Sequence, residues 1–311
     1  MLAIFESILP IFLLVLLGVA LRRSPLIDGT FWNGLEQCGY YVLFPALLFH
    51  TLARADFTSI DLHVVGMTAI GVVLLMCLFV LLLWPALRRI GVRAPAFSSL
   101  FQAATRWNSF IALAIADKLY GATGLTVVAV VMAAIIIPLN FINVSVLLWF
   151  SGAHRGYWQF TLRVISNPQI VSSALGVTVN LLGIPIYEPL MVAVGLVAQA
   201  SLSLGLIAVG AGLKVRDAVR PRPMVLVGTA IKLIVFPVVM IGIATLVGIG
   251  GQPLVLLALS AAVPTAMNGY ILAKKMGGDA ELYAATATVQ TAASFLTIPA
   301  VLLFAGQFAA G

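Results

Sequence analysis

The amino-acid sequence predicts an all-α polytopic membrane protein, and three observations support this fold class. Of the 311 residues, 62% are hydrophobic and only 9% are charged, and the mean hydropathy is +1.14. A soluble domain usually has about 25% charged residues because water must solvate its surface. The apolar residues occur in long runs that short basic loops separate. This pattern excludes a soluble enzyme, a disordered chain and a nucleic-acid-binding module.

Ten segments are long and apolar enough to be membrane helices, since a spanning helix needs about 20 mostly apolar residues. We number them spans 1 to 10, and they cover residues 3–21, 31–53, 63–87, 97–116, 124–150, 168–184, 188–213, 223–248, 253–273 and 281–307. The amphipathic connection 151–167 predicts a cytoplasmic interfacial linker. The expected organisation is an N-terminal five-helix repeat at 1–150, this linker, and a C-terminal repeat at 168–311.

The basic residues predict the orientation of the chain. The loops after the odd-numbered spans contain thirteen Lys and Arg residues, whereas the opposite side contains only Arg54 and Lys118. By the positive-inside rule, we expect the odd-numbered loops in the cytoplasm and both termini outside the plasma membrane. No basic residue precedes the first apolar run, so we expect a retained helix rather than a cleaved signal. Cys38 and Cys77 have no metal-ligand spacing, and we expect neither a metal nor a cofactor.

An internal repeat is visible when the second half of the chain is aligned with the first. Pro10 and Gly18 of span 1 correspond to Pro168 and Gly176 of span 6, both at an offset of 158 residues. Pro25, just after span 1, corresponds to Pro185, just after span 6, at an offset of 160 residues. Each half contains five spans, an odd number, so the halves must have opposite topology. Inverted repeats with a binding site between them are typical of secondary transporters.

Spans 4 and 9 occupy equivalent places in the two halves, and both are predicted to be interrupted helices. Span 4 has a cluster of polar residues at 102–109, at a depth where apolar residues are expected. In span 9, Pro264 removes a backbone donor and Gly269 lowers the cost of unwinding. Irregular backbone is tolerated at this depth only where it lines a cavity or is buried in protein. The paired breaks therefore predict a substrate site, and helix N-termini at the gap would favour an anion.

Four short stretches connect the sequence with a known family. They are Leu43–Phe49, Arg106–Phe110, Asn167–Pro168 and Ala262–Asn268. The chain resembles the auxin efflux carrier family, whose fold is related to that of the bile acid/sodium symporters. The resemblance implies two inverted five-helix repeats, a scaffold part and a transport part, and a crossing of spans 4 and 9 where Asn108 and Asn268 contact a carboxylate. The short loop after span 5 is similar to that of the bacterial branch, which includes malate and malonate permeases.

Several residues are candidates for substrate binding, and each has a structural alternative. An arginine at mid-membrane, such as Arg106, faces a cavity or a partner, and its planar fork suits a carboxylate. Its alternative role is to cap the carbonyls of the broken helix. Asn108 and Asn268 either donate to a carboxylate or cap half-helices. Lys232 either places positive charge near the substrate or snorkels to the cytoplasmic face.

Ser109 and Gln290 complete the predicted substrate-binding residues. For polar residues of span 10 such as Gln290, the alternative is hydrogen bonding between packed helices. Pro264, Gly269 and Pro45 are predicted to be helix-break residues. We expect Pro264 to shape the site rather than to contact the substrate.

The predicted function is secondary transport of a small mono- or dicarboxylate by alternating access, with a scaffold of spans such as 1, 2, 6 and 7. No Asp or Glu lies at the centre of any span, so the paired carboxylates of a proton or sodium antiporter are absent. We expect export driven by the membrane potential, at about 2.3 kcal/mol per charge per 100 mV. The alternative is a sodium-coupled carboxylate or bile-acid-type symporter.

Two other classes of protein are less consistent with the sequence. An intramembrane enzyme would need a catalytic motif, and none is present. A sensor would need an output domain, and we find none. The expected partners are a small organic anion and the lipid bilayer, without nucleic acid, and assembly into a homodimer is left open.

Overall fold

The computed structural model describes residues 2–25, 27–55, 62–151, 168–213, 222–266 and 269–309. Within these ranges the regular structure is helical, without strands. The elements are α1 (Leu2–Arg23), α2 (Gly29–Cys38), π1 (Gly39–Leu43), α3 (Phe44–Ala53), α4 (Leu62–Leu82), α5 (Trp84–Arg89), α6 (Ala94–Thr105), α7 (Ser109–Ser151), α8 (Pro168–Leu181), α9 (Glu188–Gly212), α10 (Pro223–Ala230), π2 (Ile231–Val235), α11 (Phe236–Leu246), α12 (Gly251–Ala262), α13 (Gly269–Lys275) and α14 (Ala280–Ala309). Two of these elements are π-helical turns, and α7 is kinked at Gly121.

The helices coincide with the apolar segments of the sequence. Each of the ten predicted segments contains helix, and α7 covers the end of span 4 together with span 5. Five helical stretches in the described part of the chain are long and apolar enough to cross a membrane: 62–89, 94–151, 188–212, 223–246 and 280–309. Large apolar side chains such as Leu16 and Leu246 are exposed on the outer surface, as expected where lipid is the solvent. The fold is that of a multi-pass membrane protein, and crossing by all ten segments stays a prediction.

The helices pack in two groups. In the first group, α1 packs along α9, and α3 packs against both α8 and α9. In the second group, α12 packs against α11 and α14, while α4 and α6 pack against α7. The first group consists of spans 1, 2, 6 and 7. The linker between the predicted repeats, from residue 152 onward, lies outside the described residues.

Two close helix contacts in the first group have the same 158-residue offset as the sequence repeat. A Cβ atom on Gly18 of α1 would lie 2.0 Å from the backbone oxygen of Ile207 in α9. A Cβ atom on Gly176 of α8 would lie 3.0 Å from the backbone oxygen of Phe49 in α3. Small residues allow such close approach of membrane helices. The same contact therefore occurs twice, at positions that differ by 158 residues in both partners, while the inverted relation of the halves stays a prediction.

Spans 4 and 9 are interrupted at the expected positions. Helix α6 ends at Thr105, and Arg106 is extended, with φ −69° and ψ 161°. Helix α12 ends at Ala262, and Val263 is extended in the same way, with φ −68° and ψ 148°. Val263 precedes Pro264, and the proline ring disfavours helical dihedrals in the residue before it. The proline therefore accounts for the end of α12, whereas polar residues occupy the gap in span 4.

The helix break expected at Pro45 is wrong. The chain is helical from Gly29 to Ala53, and Pro45 is the second residue of α3, directly after the π1 turn. The wider turn is closed by the Phe44 N–H, which donates to the Gly39 carbonyl oxygen five residues earlier. A proline lacks an N–H and its ring crowds the preceding turn. We attribute the continuity to this wider turn, and Pro237 follows the π2 turn in the same way.

Candidate functional site

The gap in span 4 places Arg106 between α6 and α7 with one of its donors unpaired. The Arg106 Nη2 atom donates to the Asn140 Oδ1 atom over 3.2 Å. The Nη1 atom is buried and has no hydrogen-bond partner among the described residues. The two ion pairs among the described residues, Arg54 with Glu188 and Arg222 with Glu281, do not include Arg106. The guanidinium group is therefore oriented by a neutral amide and has no anionic partner there.

Asn108 has the capping role that the sequence left open, while its contact with substrate stays a prediction. The side chain is 1% exposed, and its Oδ1 atom accepts a hydrogen bond of 3.3 Å from the Ile111 backbone N–H. This bond caps the N-terminus of α7. The Nδ2 atom is buried without a partner among the described residues. The carbonyl of the amide thus has a structural function, while its hydrogens are available to a ligand. Ser109 is the first residue of α7 and is partly buried.

Two asparagines of span 5 hold the gap of span 4 in place, and the sequence analysis missed both. Asn140 accepts from Arg106, as described above, and Asn143 Oδ1 accepts from the Thr105 hydroxyl over 3.2 Å. The Asn143 Nδ2 atom donates to the Leu139 carbonyl oxygen over 2.8 Å. Two amides three residues apart, just after a proline in an apolar span, are a signal that could have identified them.

The gap in span 9 is fixed by side chains of α14. The Thr265 backbone N–H donates to Gln290 Oε1 over 2.8 Å. The Thr265 hydroxyl lies 2.8 Å from the Tyr283 hydroxyl, which donates to the Ala266 carbonyl oxygen. Thr265 and Tyr283 were not among the residues that the sequence predicted for the site. Eighteen residues separate them, and nothing in the local pattern relates the two.

Gln290 joins the two gaps. Its Nε2 atom donates to the carbonyl oxygens of Ala103 in α6, over 3.0 Å, and Gly228 in α10, over 3.1 Å. Because the same amide accepts from Thr265, the gaps of spans 4 and 9 lie about one side chain apart. Each hydrogen bond that the structure gives Gln290 is to the backbone of a neighbouring segment, two of them in packed helices and one in the gap of span 9. The contact of Gln290 with substrate stays a prediction.

The other predicted residues of span 9 are placed as follows. Pro264 is buried in the extended segment after Val263. Gly269 is the first residue of α13, and a Cβ atom there would lie 2.2 Å from the Tyr283 hydroxyl. The absence of a side chain at Gly269 therefore permits the close approach of Tyr283. The sequence suggested a different role for this glycine, that of lowering the cost of unwinding the helix. Asn268 lies outside the described residues, so its contact with substrate stays a prediction.

Lys232 is enclosed in the second helix group. It is 0% exposed, its Nζ atom donates to the Ala261 carbonyl oxygen over 3.1 Å, and it lies 4.3 Å from the centroid of the Phe236 ring. The last carbonyls of a helix lack helical partners and carry negative partial charge. Lys232 therefore stabilises the C-terminal end of α12. The snorkelling alternative is wrong, because no part of the side chain reaches the surface.

Two comparisons with known proteins indicate membrane transport. The profile of a family described as "Membrane transport protein" matches residues 153–302. A protein of Methanothermobacter thermautotrophicus with the name "Uncharacterized transporter" is 24% identical over 305 residues, which are 94% of this chain and 96% of the relative. The first match covers the C-terminal half, and the second covers nearly the whole chain. Together with the resemblance of the four sequence stretches, these matches show that the chain is similar to membrane transport proteins.

Proposed function

We propose that the protein is a secondary transporter that moves a small mono- or dicarboxylate across the plasma membrane by alternating access. The observation that carries this proposal is the pair of buried, unpaired donors in the gap of span 4, Arg106 Nη1 and Asn108 Nδ2. A buried donor without a partner costs about 1–3 kcal/mol, and more if it is charged. A carboxylate would accept from both donors, and Arg forms such bonds in a fixed planar geometry.

The electrostatics of the gap also favour an anion. An arginine at the centre of a membrane costs about 3 kcal/mol on insertion scales, and its hydrogen bond to Asn140 does not neutralise the charge. The N-terminus of α7 adds positive partial charge at Ser109. A bound carboxylate would supply the missing negative charge. Lys232 adds charge to the same group of helices, but one of its hydrogens is already donated to Ala261.

For the architecture, we propose ten spans in two inverted repeats, with spans 4 and 9 crossing at the site. The glycine contacts that recur at an offset of 158 residues support the repeat. The packing of α13 against α6 and the bonds of Gln290 to both gaps support the crossing. The group of spans 1, 2, 6 and 7 would be the scaffold, and the other helices would move against it. The distribution of basic loops supports extracytoplasmic termini.

Binding is tested with purified protein and a panel of mono- and dicarboxylates in a thermal-unfolding assay. Ligand at one hundred times its Kd should stabilise the protein by about 2.7 kcal/mol. We expect one class of acid to stabilise the wild type and Arg106→Ala to abolish the effect. Arg222→Ala, which alters an exposed arginine, is the matched control and should retain it. Stabilisation that persists in Arg106→Ala, or its absence from the wild type for every acid, would contradict the proposed site.

Transport is tested in proteoliposomes with an imposed potassium diffusion potential. If the potential drives export, the flux of the stabilising acid should follow the potential without sodium. Flux or stabilisation that requires sodium would instead indicate the sodium-coupled symporter. Ligand binding without flux under either gradient would contradict a transport function.

A further inference from the structure

A row of unpaired polar atoms on α6 continues from Arg106 into the protein. Ser99, Gln102 and Arg106 are spaced at i, i+3 and i+7, so they lie on one face of the helix. The Ser99 Oγ atom and both amide atoms of Gln102 have no hydrogen-bond partner among the described residues. Gln102 is 0% exposed. Its backbone oxygen accepts from the Arg106 N–H over 2.9 Å, which places it one turn before the gap.

The surroundings of Gln102 are protein rather than lipid. The next residue, Ala103, packs in a buried cluster with Tyr283 of α14 and with Ala273 of α13. Thr105, three residues after Gln102, is bonded to Asn143 of span 5. The unpaired amide therefore lies in the second helix group, about 6 Å along α6 from the residue that we assign to the carboxylate.

We propose that Gln102 is a further specificity-determining residue, which binds a hydroxyl group carried by the carboxylate substrate. This inference rests on the proposed function. The unpaired donors Arg106 Nη1, Asn108 Nδ2 and Gln102 Nε2 suit the acceptor oxygens of a carboxylate. The Gln102 Oε1 atom is an acceptor, and an ionised carboxylate has no hydrogen to donate to it. A hydroxyl group supplies that donor and can also accept from Nε2.

Other donor groups fit the site less well. An ammonium group would place a second positive charge beside the unneutralised guanidinium of Arg106, and like charges repel strongly where the dielectric is low. An unsubstituted acid has no hydrogen to donate and would leave the Gln102 Oε1 atom buried and unpaired. The ligand class that satisfies these atoms is a hydroxycarboxylate.

The test uses pairs of acids that differ by one hydroxyl group: lactate and propionate, 3-hydroxybutyrate and butyrate, malate and succinate. A site that bonds a hydroxyl rejects the analogue without it, because buried polar groups are then left unpaired. We expect the wild type to bind the hydroxylated member of at least one pair about tenfold or more tightly. In Gln102→Leu, we expect the difference to fall to about twofold while the deoxy acid still binds.

Two controls separate this role from a structural one. Leu100→Met alters an equally buried side chain on another face of α6, and it should keep the hydroxyl preference. Because the Gln102 amide has no partner among the described residues, Gln102→Leu should not destabilise the unliganded protein. If Gln102→Leu does not fold, Gln102→Met takes its place, and failure of both to fold would overturn the inference.

The outcomes distinguish this inference from the proposed function. If acids bind in an Arg106-dependent way but the members of every pair bind equally, the role of Gln102 is wrong and the carboxylate site stands. A preference that survives in Gln102→Leu overturns the inference as well. If no carboxylate binds, with or without a hydroxyl group, both proposals fail.

Discussion

Gln290 provides the most direct test of whether a predicted substrate residue is a structural link. The substitution Gln290→Leu keeps a side chain of similar size but removes its three hydrogen bonds. The Thr265 N–H would lose its acceptor. The carbonyl of Ala103 would lose its donor, and it lies in the last turn of α6, where carbonyls lack helical partners. The carbonyl of Gly228 still accepts from the Ile231 N–H within its own helix.

The expected loss of stability in Gln290→Leu follows from two backbone groups that would stay unpaired, the Thr265 N–H and the Ala103 carbonyl. Each buried polar group without a partner costs about 1–3 kcal/mol, so we expect Gln290→Leu to destabilise the protein by about 2–6 kcal/mol. The assay is unfolding in detergent micelles, followed in the absence of any ligand. Thr291→Val is the matched control, since the Thr291 hydroxyl donates only to the carbonyl of Ala287, one turn earlier in α14. Its cost should stay near 1 kcal/mol.

The opposite result would refute the structural reasoning. If Gln290→Leu changes the free energy of unfolding by less than about 0.5 kcal/mol but abolishes carboxylate binding, the side chain contacts substrate, as the sequence predicted. A large loss of stability with the affinity of the remaining folded protein unchanged would support the structural link.

Three further predictions concern other contacts. Gly18→Ala would place a Cβ atom 2.0 Å from a backbone oxygen of α9, so we expect a loss of about 1–3 kcal/mol or more in the free energy of unfolding. Asn140→Asp would give Arg106 an anionic partner inside the protein, and we expect the affinity for carboxylates to fall about tenfold or more while the fold is retained. Gly269→Ala would bring a Cβ atom to 2.2 Å from the Tyr283 hydroxyl, and a double-mutant cycle with Tyr283→Ala should show a coupling of at least about 0.5 kcal/mol.

Each of these predictions has either a control variant or an outcome that would contradict it. Gly242→Ala lies where nothing is within 4 Å, so it should not destabilise the protein and should gain helix propensity. An unchanged carboxylate affinity in Asn140→Asp would mean that Arg106 does not bind the anion. Additive effects at Gly269 and Tyr283 would mean that the two residues are not in contact.

The sequence was sufficient for features that depend on neighbouring residues. The helices follow from the length of the apolar runs. The end of α12 follows from Pro264, which acts on the residue directly before it. The polar residues at 102–109 located the gap of span 4, since such residues are costly at membrane depth unless they are buried in protein or line a cavity.

The sequence was insufficient where the outcome depends on distant residues. Pro45 and Pro264 are the same residue type, yet a π turn lets the helix continue at Pro45. The sequence does not show why position 269 is a glycine. The structure does, since the Tyr283 hydroxyl occupies the space that a side chain at this position would need. Gln290 is recognisable in the sequence as a polar residue in an apolar span, but its partners in three other segments could not be inferred from spacing in α14.

The hydrogen bonds at the two gaps argue for the kind of ligand that the site takes. Breaking a helix exposes carbonyls at one end and N–H groups at the other. Gln290 and Lys232 donate to carbonyls at the ends of α6 and α12. Asn108 accepts from an N–H at the start of α7.

After these bonds, the described residues 102–108 retain four buried side-chain nitrogen and oxygen atoms without a hydrogen-bond partner. Three are donors, on Gln102, Arg106 and Asn108, and one is the acceptor Gln102 Oε1. One of the donors carries a full charge. A ligand that pairs all four must offer mostly acceptors, a negative charge and at least one hydrogen to donate. This requirement supports the proposed anion over a neutral or cationic substrate and, among anions, the proposed hydroxycarboxylate.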